Sequence, residues 1–276
     1  DPEWLADALR SDDSRFVPVW KQRCLTRADQ SGAVLLTRNQ LGRSVDENEL
    51  IFLGVFRDHP AFAIEFTCED EPFTDLGEFH ELRYLGTVLP PDDANLVAHA
   101  RALVLWHASQ VFCGICGSAA RPAAAGNSRI CINEHCRREI YPRVDPAIIV
   151  LVENGEQCLL GRQASWPEHR YSTIAGFVEP GESVEDAVRR EVYEETNIRV
   201  GEVRYHSSQP WPFPSALMLG FTAQATSTEI ELNDGELEDA RWFTRDELRS
   251  DFPKLPFRIS IARRLVDHWI SLENDG

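Results

Sequence analysis

Apolar residues along this chain follow two rhythms. From Phe16 to Thr67 they come in short runs, FVPVW, AVLLT, LIFLGVF and AFAIEF, separated by polar or turn-forming segments, which predicts strands. Beyond Pro146, AIIVLV and QCLLG flank Asn154-Gly155 and predict a hairpin. STIAGFV predicts a strand leading into a helix, and VRYHSS, ALMLGFTAQA and ARWFT predict three more strands. The helical rhythm appears three times. Asp92 and Asp93 after Pro90-Pro91 open a helix through Leu96, Ala100, Leu103 and Val104 to about Ser109. Val184, Val188 and Val192 recur every four residues as the buried row of a second helix, which ends near Thr196, and Ile261, Leu265 and Trp269 mark a third. Ser183 with Asp186 three residues on predicts an acidic variant of the capping box, and Pro180-Gly181 supplies the turn before it.

Length and charge narrow the picture. A chain of 276 residues suffices for two compact domains with a small module between them. Forty-five acidic against twenty-eight basic side chains give a formal charge of −17. That balance repels phosphate backbones at long range and argues against a general nucleic-acid binder, while leaving small phosphates open. Arg137, Arg138, Arg143, Arg189 and Arg190 offer local positive charge. No apolar run approaches the ~20 residues needed to span a bilayer, and the opening DPEWLADALR lacks the features of a signal peptide, so a soluble cytoplasmic protein is expected.

Four of the seven cysteines fall as Cys113-x2-Cys116-x14-Cys131-x4-Cys136, two close pairs around a turn-rich spacer. Four thiolates so spaced can close a tetrahedral shell around one structural zinc ion, with Gly114 and Gly117 easing the first knuckle. His135 is an alternative to Cys136, and disulfides are the competing use of the same residues. Cys24, Cys68 and Cys158 stand in apolar surroundings and are expected as small core residues.

The densest chemistry lies in GFVEPGESVEDAVRREVYEETNI, residues 176–198. Glu191, Glu194 and Glu195 share one helix face, where i,i+4 like charges cost roughly 0.2–0.5 kcal/mol per pair, so a divalent cation is the natural neutraliser. Gly176, Glu182, Arg190, Glu191, Val192, Glu194, Glu195 and Ile198 fall in register with the Nudix box, and the chain resembles the Nudix hydrolases. Asn197 replaces the usual glycine. Asparagine tolerates the left-handed backbone there best after glycine.

Downstream, SQPWPFP begins at Ser208, thirteen residues after Glu195. Its three prolines are expected to hold Trp211 and Phe213 in an extended, stiff stretch. Together the box, this segment and the upstream cysteines resemble the NADH pyrophosphatase family over about residues 100 to 276, with a looser match before that. The strand and helix pattern predicts an N-terminal α/β domain over 1–109 and the cysteine spacing a zinc ribbon over 110–141, and the resemblance implies a Nudix α/β/α sandwich with a mixed sheet over 142–276, an α/β protein throughout. The resemblance further implies Mg²⁺ or Mn²⁺ held by Glu191, Glu195, Glu236 and the carbonyl of Ala175. Glu182 and Glu194 support them, and Arg190 pairs with box carboxylates to hold the loop.

For substrate, the resemblance implies Tyr141 and Phe177 enclosing a ring, the tyrosine supplied across a homodimer. Gln209, Pro210, Trp211, Pro212, Phe213, Pro214, Ser215 and Ala216 form the binding stretch, with Ala262 and Arg83 as further contacts. Ala216 stands where many members carry serine, a hydroxyl that Ser215 could replace. The chemistry implied is hydrolysis of NADH or NAD⁺ to nicotinamide mononucleotide and AMP, with removal of NAD caps from RNA as a second activity. Metal-activated water and electrostatic shielding suffice, with no covalent nucleophile. The competing expectations are a Nudix pyrophosphatase acting on ADP-ribose or dinucleoside polyphosphates, and an inactive zinc-ribbon binding module. Intact glutamates argue against the module, and SQPWPFP against the other substrates.

Overall fold

The computed structural model describes residues 2–233 and 235–272. The chain divides into two compact units, Asp1–Arg143 and Val144–Gly276.

The first unit runs α1 (Pro2–Arg10), β1 (Arg15–Trp20), β2 (Arg23–Thr26), β3 (Leu50–Phe56), β4 (His59–Phe66), β5 (Glu78–Glu81), α2 (Leu82–Val88), α3 (Pro91–Ser109), β6 (Ala120–Ala123), β7 (Ser128–Cys131) and β8 (Glu139–Ile140). Its large sheet has the order β3-β4-β1-β2-β5, with β1 and β4 parallel. AVLLT, expected as a strand, makes only single bridges, Ala33 to Thr26 and Leu36 to Phe16. Its apolarity reflects burial, since Leu36 is wholly enclosed among Phe16, Leu25, Phe62 and Ile64. Asp93 in the first turn of α3 is also buried, where it pairs with Arg57 and accepts the Ala33 amide at 2.9 Å. Strands β6, β7 and β8 form a small antiparallel sheet, with Cys131 at the end of β7, Cys113 and Cys116 before β6, and Cys136 between β7 and β8. Cys24 and Cys158 are buried, but Cys68 is exposed, which corrects its expected place in the core.

The second unit contains β9 (Asp145–Asn154), β10 (Gln157–Arg162), β11 (Ile174–Phe177), α4 (Val184–Thr196), β12 (Val200–Trp211), β13 (Ala216–Ala225), β14 (Asp239–Thr244), α5 (Arg245–Arg249) and α6 (Ile261–Ser271). The sheet order is β12-β13-β9-β10-β14, with β11 also on β9. β13 runs parallel to β9 and the other pairs are antiparallel, so the sheet is mixed. Central β9 is apolar on both faces because both are covered. Ile148, Val150 and Val152 pack with Ala187, Val188 and Val192 of α4, while Ile149 and Leu151 pack with Leu265, Val266 and Trp269 of α6. This is the expected α/β/α sandwich. The hairpin turns at Gly155-Glu156, with Gly155 at φ 58°, a left-handed position suited to glycine.

Candidate active site

Helix α4 begins with Ser183 Oγ accepting the Asp186 amide at 3.2 Å. The capping box is half formed: the Asp186 carboxylate accepts from the Ser183 hydroxyl and from Arg189 instead of from the cap backbone. At the other end Asn197 adopts φ 61°, the left-handed turn anticipated for it.

The box carboxylates sit at graded depth. Glu195 is 4 % exposed, the side chains of Glu191 and Glu182 are 14 % and 17 % exposed, and that of Glu194 is 50 % exposed. Arg190 joins three of them. Its Nε and Nη2 donate to the two oxygens of Glu182 at 3.1 and 2.6 Å, a bidentate pair, and Nη1 donates to Glu191 at 2.9 Å and Glu194 at 3.0 Å. Nη2 also reaches the Phe177 carbonyl at 2.9 Å, so one guanidinium links helix, loop and strand. Glu182 in turn accepts the Glu179 amide at 2.8 Å, closing the loop. The Arg190 guanidinium holds the Glu182 carboxyl below its usual range. Burial pushes Glu191 the opposite way despite Arg190, with the charges of Glu194 and Glu236 adding to the rise.

Gly176 explains how Glu191 reaches the strand. A Cβ there would lie 1.9–2.3 Å from the Glu191 carboxylate, so only glycine leaves it room. Beside Gly176, Ala175 pairs with Ile149 of β9. Glu236 lines a concavity with Tyr193, Glu194, Asn197, Glu231 and Asn233. The oxygens offered by Glu191, Glu194, Glu195, Glu236 and the Ala175 carbonyl are hard donors, a chemistry that suits Mg²⁺ or Mn²⁺.

SQPWPFP does not stay extended. Ser208 to Trp211 belong to β12, and the chain then turns so that Trp211 pairs with Ala216 of β13, placing Pro212, Phe213, Pro214 and Ser215 in the hairpin turn. Pro210 stays in the ladder opposite Leu217, while Pro212 and Pro214, which cannot donate to it, lie in the turn where it ends. Trp211 and Phe213 meet edge to face at 5.1 Å. Gln209 is occupied, donating to the Ile259 carbonyl at 2.8 Å and accepting the Ile261 amide at 2.7 Å, which ties β12 to the start of α6. Ser215 donates to Asp145 at 2.7 Å. Pro210 is exposed on β12, and Ala262 is 4 % exposed among the core residues of α6. Phe177 presents a ring 60 % exposed. Arg83 and Tyr141, both exposed, belong to the first unit. The register of the box singles out Gly176, though not the seat it leaves for Glu191, and the tether at Gln209 carries no sequence signal beyond residue type, since its partners Ile259 and Ile261 are distant in the chain.

The cysteines converge. All four Sγ atoms lie within 4.8 Å of one another, with Cys116 to Cys131 at 3.4 Å and Cys113 to Cys136 at 3.8 Å. Four sulfurs at ~2.3 Å from one ion stand about 3.8 Å apart, so the set fits zinc, whereas a disulfide needs about 2.05 Å. Cys136 fills the fourth corner, which corrects the alternative of His135. Backbone N–H groups of Cys116 and Ile115 hold the Cys113 thiol below its ordinary value, and those around Ser118 bring Cys116 down to about 6.

Comparison with known proteins agrees with this geometry. Residues 142–265 match the NUDIX domain family, residues 108–141 the NADH pyrophosphatase zinc ribbon domain, and residues 13–106 the NADH pyrophosphatase-like rudimentary NUDIX domain. The last match reaches further toward the N-terminus than the motifs alone indicate. The chain is 38% identical to NAD-capped RNA hydrolase NudC of Mycobacterium bovis, over 97% of this chain and 92% of that protein. It is 44% identical to NAD-capped RNA hydrolase NUDT12 of Homo sapiens over 67% of this chain, and 40% identical to Nudix hydrolase 19, chloroplastic, of Arabidopsis thaliana over 89%. The match spans 43% of the human relative's length and 59% of the plant one's. Among the described residues no helix is long and apolar enough to cross a membrane.

Proposed function

Because this chain belongs to the Nudix hydrolases, in the NADH pyrophosphatase family, we propose that it hydrolyses the pyrophosphate bond of NADH or NAD⁺ to nicotinamide mononucleotide and AMP, and removes NAD caps from RNA. The observation that carries the reading is the box itself, in which Glu191 occupies the room left by Gly176 while Arg190 gathers Glu182, Glu191 and Glu194. The curated relatives named as NAD-capped RNA hydrolases support the choice of substrate.

Glu191, Glu195, Glu236 and the Ala175 carbonyl would hold Mg²⁺ or Mn²⁺. Such an ion supplies an activated water and neutralises charge on the phosphates. The protein's own contribution is position. Arg190 fixes Glu191 against the strand and keeps the loop from Phe177 to Glu182 in place, so that the ligands are set before substrate arrives. Glu194, half exposed, is the carboxylate within reach of solvent for proton transfer. Phe177 and Trp211 offer aromatic faces, with Tyr141, Arg83, Phe213, Pro210, Pro212, Pro214, Ser215, Ala216 and Ala262 retained as substrate contacts. Gln209 acts through its tether to α6.

We assign one structural zinc to Cys113, Cys116, Cys131 and Cys136, and a division into residues 1–109, 110–141 and 142–276. The protein is read as a cytoplasmic homodimer. Exposed Phe112, Ile115 and Tyr141, at 61, 70 and 64 %, support an interface on the zinc-ribbon segment.

The test is a substrate panel of NADH, NAD⁺, ADP-ribose, a diadenosine polyphosphate and NAD-capped RNA with Mg²⁺ or Mn²⁺, products identified by chromatography. A dinucleotide carries a second ring that ADP-ribose lacks, and an aromatic stack is worth roughly 0.5–1.5 kcal/mol. Tyr141→Ala is therefore expected to lower kcat/KM for NADH about two- to tenfold while sparing ADP-ribose. Equal efficiency on NADH and ADP-ribose, with Tyr141→Ala affecting both alike, overturns the dinucleotide reading. Activity on capped RNA is expected to fall with salt, given a net charge of −17 that leaves only local patches to meet the RNA.

A further inference from the structure

Glu236 lies in a loop far in sequence from the box, and the way that loop is fastened has its own logic. On the C-terminal side of Glu236, Leu237 is 8 % exposed and packs with Leu159, Ile174 and the α4 residues Ala187, Val188 and Val192. The room for Leu237 comes from Gly161 near the end of β10: a Cβ at 161 would stand 2.7 Å from Leu237 Cδ1 and 3.3 Å from Ile174 Cδ1. Gly161 has an ordinary backbone conformation, so it serves for space and not for a turn.

The next residue is held at two points. The Glu238 amide donates to the Arg162 carbonyl at 2.9 Å, and Arg162 Nη1 donates to the Glu238 carboxylate at 2.9 Å. The Arg162 side chain is only 10 % exposed and its Nη2 also reaches the Trp166 carbonyl at 3.3 Å, so the guanidinium is itself fixed. The β10–β14 ladder then begins, with Arg162 opposite Asp239 and Gly161 opposite Ala240. A plug, a clamp and a ladder thus follow Glu236 in consecutive residues. On the other side Glu236 faces the concavity it shares with Glu194.

We propose that Gly161 and Arg162 are positioning residues for Glu236, seating Leu237 and Glu238 so that the Glu236 carboxylate is held at the end of α4 beside the box glutamates. This rests on the assignment of Glu236 as a ligand of the divalent ion. Residues that orient a metal ligand are typically worth ten- to a hundredfold in metal affinity when lost. They set how readily the ion is gathered and leave the chemistry of the loaded site alone.

The test uses the full zinc-loaded chain. Mn²⁺ binding is followed by loss of the free-ion electron paramagnetic resonance signal, and NADH hydrolysis is measured across Mn²⁺ concentrations. Gly161→Ala and Arg162→Met are each expected to weaken Mn²⁺ binding about tenfold. At saturating Mn²⁺, kcat should return to within about threefold of the parent. Gly161→Ala combined with Leu237→Val, which clears space for the added methyl, is expected to restore most of the affinity. A merely destabilising change would lower the unfolding temperature and leave the Mn²⁺ affinity of the folded protein unmoved. Should Gly161→Ala fail to fold, Glu238→Ala decides in its place, since its carboxylate is 53 % exposed and its loss releases one point of the clamp.

Glu236→Gln separates this inference from the assignment beneath it. If Glu236→Gln weakens Mn²⁺ binding while folded Gly161→Ala and Arg162→Met bind as the parent does, the positioning role is overturned and the ligand stands. If Glu236→Gln itself leaves Mn²⁺ binding unchanged, the ligand assignment falls and the positioning role falls with it.

Discussion

Two clusters of metal-binding chemistry in this chain are built on opposite plans. The four cysteine sulfurs stand within 4.8 Å of one another, bonded chiefly to backbone amides and to each other. The box glutamates are spread from 4 % to 50 % exposure, and Glu182, Glu191 and Glu194 are engaged by Arg190. Among the described residues, the cysteines are the metal-ligand group drawn that close together. Soft ligands converging on one point leave no position open for a substrate, which suits a structural ion. Hard ligands on a helix face, tied by Arg190 to a loop and a strand, leave one side open to solvent, as a hydrolytic ion requires. On the proposed assignments, folding energy belongs to the first cluster and reactivity to the second.

The largest expected effect breaks that contrast at its reactive end. Glu195→Gln keeps the size of a side chain that is 4 % exposed, yet it loses the charge that a divalent ion needs. It is expected to reduce kcat on NADH by about a hundredfold or more, ~2.7 kcal/mol of barrier, with the circular dichroism spectrum unchanged. A variant retaining more than about a tenth of parental kcat shows that the reactive site lies elsewhere.

The complementary change is Cys113→Ser, expected to act on folding first. A closed thiolate site supplies folding energy, so loss of one ligand should release zinc and lower the unfolding temperature by about 5 °C or more. The kcat of protein kept folded at low temperature should stay within about threefold. Elemental analysis and a thermal melt decide it. Less than one zinc per chain in the parent, or an unchanged melt in a zinc-free variant, removes the structural assignment.

Legibility in the sequence divided along the same line. Helix α4 could be read to the residue because its signals are local: a serine cap, a four-residue valine row, and an asparagine that takes the left-handed exit at φ 61°. The cysteine site was equally legible, since spacing in the chain dictates proximity in space. Contacts between distant segments could not be read. Nothing local in AVLLT separates a strand from buried filler with two single bridges, whereas the acidic run Glu69-Asp70-Glu71 directly after Cys68 is the local sign that it faces solvent. The parallel pairing of β9 with β13 joins runs some seventy residues apart, as Ala147 to Met218 shows. Gln209 could be seen as part of a binding stretch, but its tether to the start of α6 depends on Ile259 and Ile261, about fifty residues on.

The smallest expected effect sharpens the comparison by asking what Arg190 contributes when no catalysis is measured. Glu182 forms the bidentate pair with Arg190, and that cation holds its carboxyl below the ordinary glutamate value of 4.5. A carboxylate whose folded pKa is depressed binds protons more readily once unfolded. It therefore contributes stability above its unfolded pKa and loses that contribution as the pH falls through the depressed folded value. Glu182→Gln removes the term. Plotted from pH 7 down to about pH 3, the stability gap between parent and variant is expected to be full at neutral pH and to close below about pH 4.5. The cysteine unit is the same in parent and variant and cancels from this gap. A gap that stays constant across the range shows that Glu182 acts through packing alone, and that Arg190 holds the loop by its bonds to Phe177, Glu191 and Glu194.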